Sequence, residues 1–156
     1  MLAKLIARFR GDHYRSPLLA QMSTGAFAKA VPDAKTEFDW LNNDPNAVQE
    51  YIDDPLCGFP FTAVGYEALF TLMQLAYAKI PAGKPSLPVH FLSGEKDPCA
   101  PDKKGFDDAV LCFKARGYAN ISAKMYDGLR HEILNEPTRI QVYADILEKL
   151  ESWRKG

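Results

Sequence analysis

No stretch of the chain comes near the ~20 consecutive apolar residues that a membrane-spanning helix needs. No long apolar block leads into a small-residue cleavage site either, so the sequence carries neither a span nor a recognisable signal peptide. An excess of one charge is also missing: 19 Lys and Arg stand against 20 Asp and Glu, a net charge of −1. Without a basic stripe there is no electrostatic source of affinity for a nucleic-acid backbone, which removes nucleic acid as a partner. Cysteine is scarce. Cys57, Cys99 and Cys112 are an odd count without C-x-x-C spacing, which reads as reduced thiols in a cytoplasm rather than a disulfide framework. There is no G-x-G-x-x-G and no phosphate loop, so no cofactor is expected. The run His131-Glu132-Ile133-Leu134-Asn135 opens like the zinc-protease H-E-x-x-H but ends in asparagine. His13 and His90 have no ligand-like spacing to it, and no metal site is expected.

What remains is ordinary globular material. The 156 residues are 47% hydrophobic and 25% charged, enough for one domain with a real core. No internal repeat is visible, but the pattern changes near Pro81. Before it the chain reads as helical or irregular. Met1 to Gly11 mixes Leu2, Leu5, Ile6 and Phe9 with Lys4, Arg8 and Arg10, an amphipathic helix whose apolar stripe is expected to bury itself in its own protein. A peripheral membrane helix is the alternative use of that pattern. Asn46 to Ile52 and Thr62 to Lys79 read as helices, the second with Leu69, Leu72, Met73 and Ala76 on one face. Between them Asp53 to Phe61, with two prolines and a glycine, reads as an ordered, aromatic-rich loop.

After Pro81 strand and helix alternate. Val89 to Leu92 is a short β-prone run closed by Ser93-Gly94, and Asp102 to Gly117 has Phe106, Val110 and Phe113 at helical intervals. Ile121 to Tyr126 reads as a second strand, and a last helix is expected from Asn135 as N-cap, with Pro137 in its first turn. This is a βαβα unit with parallel strands, so the fold class is α/β, divided into a helical segment 1–80 and an α/β segment 81–156. Two strands make a poor sheet with unpaired edges. The expectation is that more strands precede the chain or that it pairs with another copy of itself.

Asp97 follows the first strand and His131 follows the second, 34 residues apart, which places both at the carboxyl rim of neighbouring parallel strands, where sites form in open α/β sheets. A carboxylate hydrogen-bonded to an imidazole fixes its tautomer and stabilises the imidazolium formed when it takes a proton from a nucleophile. The plain alternative is that Asp97 caps a turn and His131 is a satisfied loop histidine. Asp53-Asp54 could form an acid/base dyad, but adjacent residues more often point apart and serve as turn caps; Cys57 and Cys99, near proposed functional loops, are reactive thiols or, more often, incidental cysteines.

Thr36-Glu37-Phe38-Asp39-Trp40-Leu41, Tyr51-Ile52-Asp53-Asp54-Pro55-Leu56-Cys57-Gly58, Leu87-Pro88-Val89, Ser93-Gly94-Glu95-Lys96-Asp97-Pro98 and Arg130-His131-Glu132-Ile133-Leu134-Asn135-Glu136 together resemble the α/β-hydrolases. The branch they resemble is that of monoacylglycerol lipases and lysophospholipases. The resemblance implies an incomplete α/β-hydrolase fold: a helical cap, then the C-terminal part of the core. It makes Asp97 the triad acid and His131 the general base. The cap residues Phe38, Trp40, Leu56, Phe59 and Phe61 become a wall for an acyl chain, or anchors of the loop to the core.

The departure from that family is large. Its serine sits on a G-x-S-x-G elbow, and none of Ser16, Ser23, Ser86, Ser93, Ser122 and Ser152 has glycine at both flanking positions. Ser23 comes nearest, with Gly25 two residues on but Gln21 where a small residue is needed. The chain is therefore expected to supply Asp and His to a hydrolase of lipid-like carboxylic esters, to lack the nucleophile, and to be inactive alone. The alternative is a non-catalytic module for binding or dimerisation.

Overall fold

The computed structural model describes residues 2–78, 83–100 and 102–155. The expected division between residues 80 and 81, and the end of the second long helix at Lys79, lie outside the described residues. Six α-helices and two strands are described: α1 (Leu2–Arg10), α2 (Pro17–Ser23), α3 (Pro45–Asp53), α4 (Ala63–Tyr77), β1 (Val89–Gly94), α5 (Lys103–Ala115), β2 (Ile121–Tyr126) and α6 (Arg139–Lys155), with a 3-10 turn over Phe27–Ala30. No helix among them is long and apolar enough to cross a membrane.

The helix starts follow local chemistry. Ser16, Asp44, Thr62 and Asp102 are N-caps whose side-chain oxygens accept from backbone N–H groups of the first turn, and α2 and α3 each carry proline at their start. Helix α2 has no counterpart in the sequence reading, being only seven residues long. The strands β1 and β2 pair in parallel, Val89 opposite Ile121 through Gly94 opposite Tyr126. Alternation then sorts the helices to the two faces: Phe91 meets Phe113 of α5 edge to face at 5.1 Å, while Leu92, Tyr126 and Leu129 pack with Val142 and Ile146 of α6.

Among the described residues the core is three small clusters. Ala3 and Ala7 of α1 pack with Leu19, Ala63 and Tyr66; Val31, Trp40 and Leu41 form a second; Tyr126, Leu129 and Val142 a third. Two expectations about faces are corrected here. In α1 the buried residues are Ala3 and Ala7, while Leu2, Leu5 and Phe9 form a stripe on the outer side, Phe9 being 73% exposed. Small alanines let α1 approach α4 closely, and that contact turns the larger residues outward. In α4 the packing runs through Ala63, Tyr66, Leu69 and Phe70, and Leu72 and Met73 face out, because α1 covers only the first turns of α4. The last helix also differs from expectation: it begins at Arg139, and Asn135 to Thr138 lie in turns, for a reason that belongs to the site.

The accessible surface is 10819 Å². A compact monomer of this mass exposes about 7,900 Å², so about 2,900 Å² more is open than a self-contained domain of 17.4 kDa shows.

Gly94 closes β1 where the chain of the following loop crosses it. A Cβ there would stand 2.2 Å from the Arg130 carbonyl oxygen and 2.4 Å from that of Leu129, both backbone atoms that cannot swing aside. Gly94→Ala is expected to lower stability by roughly 3 kcal/mol or more, read as a drop in the urea midpoint; an unchanged midpoint would show that the loop does not need this close passage.

Candidate active site

The two loops that leave β1 and β2 are stapled together. Glu95 N–H donates to Tyr126 O (2.9 Å), Lys96 N–H to Leu129 O (2.8 Å), and Gly128 N–H to the Glu95 carboxylate (2.8 Å). This brings Asp97 and His131, distant in sequence, face to face: His131 Nδ1 and Asp97 Oδ2 are 3.0 Å apart. Asp97 is buried at 8% exposure and its other oxygen accepts from Cys99 N–H at 2.8 Å. The imidazole keeps one side open, its side chain 40% exposed.

Electrostatics follow from that contact. The hydrogen bond to Asp97 is the largest influence on His131, the Cys99 thiol adds to it, and burial opposes both; the imidazole is pushed up to about 10. Burial pushes the Asp97 carboxyl up, but hydrogen bonds from His131 and Cys99 outweigh it, and the group lies below its ordinary value. At neutral pH the two form an ion pair.

The backbone of His131 is held by the helical half of the chain. His131 N–H donates to Trp40 O (3.4 Å) and Glu132 N–H to Leu41 O (2.9 Å), and the Trp40 ring packs against the imidazole at 4.9 Å. Arg130 donates to the Asp39 and Asn42 carbonyls. At the centre is Glu136, with 0% exposure: its carboxylate accepts from Arg130 N–H (2.8 Å), Asn43 N–H (3.2 Å) and Asn43 Nδ2 (2.9 Å). Asn43 Nδ2 also donates to Gly128 O at 2.9 Å. Drawing Glu136 inward is what delays α6. Residues 132–138 turn so that this carboxylate reaches Asn43, Asn135 bonds back to Glu132, and regular helix starts only at Arg139.

Of the five cap residues singled out, the structure places Trp40 against His131. Phe38 packs with Tyr51 at 5.2 Å in the cluster that contains Trp40. Phe59 lies under the Arg15 guanidinium and Phe61 beside Tyr66, both about half exposed, and Leu56 is 80% exposed. These three do not join Trp40 at the imidazole in any aromatic contact among the described residues. Ser23 ends α2, and its hydroxyl donates to Ala20 O at 3.0 Å; no hydrogen bond links it to His131 among the described residues. Sequence reasoning missed Glu136, Asn43 and Arg130 as the supports of the site, and it missed the position of Cys99 beside Asp97 and His131. Glu136 stands in one of the motifs that carry the family resemblance, but Asn135-Glu136-Pro137 reads as a helix entry and gives no local sign of a buried carboxylate. For Cys99 the signal was its place two residues after Asp97.

Comparison with known proteins gives a coherent picture. The family described as serine aminopeptidase, S33, matches residues 5–138. Among solved structures, a highly thermostable carboxyl esterase from Bacillus coagulans in complex with glycerol superposes with a TM-score of 0.79 at 21% identity, over 99% of this chain and 50% of that one. A lipase in its open form gives 0.78 at 25% identity, over 97% and 49%, and a monoacylglycerol lipase from Paleococcus ferrophilus gives 0.62 at 21%, over 97% and 50%. The chain spans about half the length of these structures.

Two outcomes are expected. Glu136→Ala, which strands the Asn43 and Arg130 donors, should lower stability by roughly 3 kcal/mol in denaturant unfolding, and Glu136→Gln should cost less because one acceptor oxygen survives. The Asp97–His131 pair should stabilise the fold most at mildly acidic pH. The raised imidazole contributes fully below its ordinary value of 6.5 and loses this as pH rises through about 10. The lowered carboxyl contributes above its ordinary 3.8 and loses this as pH falls through its folded value. Unfolding of the parent and of His131→Ala across pH 3 to 10 should therefore differ most between about 4 and 6.5, with the gap closing on either side; a gap independent of pH would refute the ion pair.

Proposed function

The chain belongs to the serine aminopeptidase S33 family of α/β hydrolases, and on that footing we propose that it is the cap and C-terminal portion of a serine hydrolase acting on carboxylic esters of lipid-like alcohols. The observation that carries this is the 3.0 Å contact between His131 Nδ1 and Asp97 Oδ2 at the ends of adjoining parallel strands. Nδ1 is engaged by the carboxylate, so Nε2 is the atom that takes a proton. In this reading Asp97 orients His131, and His131 removes the proton of a serine supplied by a preceding half, whose backbone N–H groups hold the oxyanion. Residues 1–80 form the cap and 81–156 the remainder of the core. The names of the similar structures, an esterase and two lipases, favour an ester over an amide. Exposed Leu56, Phe59 and Phe61 are suited to an acyl chain, as in lysophospholipids or monoacylglycerols. Three free cysteines fit a reducing cytoplasm.

A second reading rests on the sheet. The outer edges of β1 and β2 have no strand partner among the described residues, and the excess surface is large. A non-catalytic module that dimerises through this edge answers to the same observation. Light scattering separates a dimer from a monomer, and a stable monomer would end the dimer reading.

The decisive experiment is intact mass before and after a fluorophosphonate, which adds covalently to an activated serine. The chain alone is expected to keep its mass. Expressed with its upstream coding sequence it is expected to gain one adduct on a serine of that upstream part and to hydrolyse p-nitrophenyl esters. In that protein His131→Ala and Asp97→Asn should each lower kcat by about 10⁴. An adduct on the chain alone, at Ser23 or elsewhere, would overturn the missing-nucleophile reading.

A further inference from the structure

We infer that Asp97, Cys99 and His131 form a binding site for a thiophilic divalent cation of the zinc class, and that its occupation withdraws His131 from proton transfer. A carboxylate oxygen of Asp97, the Cys99 sulfur and an imidazole nitrogen of His131 all lie within 4.8 Å of one another. Tetrahedral zinc, with bonds of about 2.0–2.3 Å, holds such ligand atoms about 3.3–3.8 Å apart. To hold the ion, the nitrogen and oxygen, 3.0 Å apart, part by a few tenths of an ångström as their hydrogen bond gives way, and the sulfur settles at about 3.5–3.8 Å from both.

The donor set selects the cation. One thiolate, one imidazole and one carboxylate are the ligand types of zinc, whereas magnesium and calcium take oxygen ligands and avoid sulfur. Two of the three ligands are held in advance. Asp97 is buried and fixed by Cys99 N–H and by the turn that joins Ala100 N–H to Asp97 O, and His131 is fixed by Trp40 through both backbone and ring. Cys99 is an exposed free thiol beside the pair, so its side chain is free to adjust to the cation while the fourth position is left to water. Binding releases the thiol and imidazole protons. With Nδ1 bound to the cation, the one proton left on the ring sits on Nε2, which then cannot serve as a base.

The cation site uses the two residues to which we assign hydrolysis, yet it can be tested without an ester. Co²⁺ is titrated into the chain, and the thiolate-to-cobalt charge-transfer absorption in the near ultraviolet is read, followed by displacement with Zn²⁺. The parent is expected to show the band at one cobalt per chain. Cys57→Ser and Cys112→Ser should keep it, and Cys99→Ser should lose it. Zn²⁺ binding should weaken at least about tenfold in both Cys99→Ser and His131→Ala. Cys99 is exposed, so its serine variant is expected to melt like the parent, which separates loss of a ligand from loss of fold. No band in the parent, or Zn²⁺ affinity unchanged in Cys99→Ser, would overturn the site. Failure of the chain to take part in ester hydrolysis would leave this result standing, and failure of the band would leave the hydrolase reading standing.

Discussion

The Glu136 carboxylate, wholly removed from solvent, is the constraint on which the rest of the site hangs. A charge in that position is tolerable only when its oxygens are met by donors. The donors are the backbone N–H of Arg130 and both N–H groups of Asn43, 93 residues away in sequence. Meeting that requirement ties residues 39–43 to the loop after β2. Trp40 and Leu41 then reach the N–H groups of His131 and Glu132, and the Trp40 ring comes to lie on the imidazole. The angle at which His131 addresses Asp97 is thus set by a buried carboxylate that touches neither of them.

That dependence explains what could be read in advance and what could not. The parallel strands, α3, α5 and the placement of Asp97 and His131 were legible because each leaves a local mark: a short β-prone run, an Asx cap, a polar residue just past a strand end. Family membership followed from short motifs of the same kind. Glu136 leaves no such mark, since its partner Asn43 is reached only after the helical half folds back onto the strands. The start of α6 was misread for the same reason, as Asn135 and Pro137 make a plausible helix entry until the inward pull of Glu136 is known. The faces of α1 and α4 were misread because helical periodicity identifies an apolar stripe but not its partner. In α1 the alanines won the interior contact, since a small residue allows the closer approach of two helices.

The outward stripes of α1 and α4, the three separate core clusters and the excess accessible area are one fact seen from several sides. Apolar area left in water forfeits about 25 cal/mol for each Å². A sheet whose two outer edges have no strand partner among the described residues adds unpaired backbone groups to that cost. Surface of this kind is complementary to something, and the superposed esterase and lipase structures are about twice as long as this chain.

The state of His131 connects that surface to chemistry. With one face of its ring open, the imidazole draws on Asp97 and the Cys99 thiol and is held in the charged form at neutral pH. A charged imidazole cannot accept a proton. The influence that opposes charging is burial, which penalises the imidazolium and leaves the hydrogen bond to Asp97 intact. A preceding half that covers the exposed face of His131 would supply that burial together with the nucleophile, so in the reading proposed above one docking event both completes the triad and moves its base toward the neutral form. A cation held by Cys99, Asp97 and Nδ1 of His131 would leave the ring proton on Nε2 and so oppose the same base role.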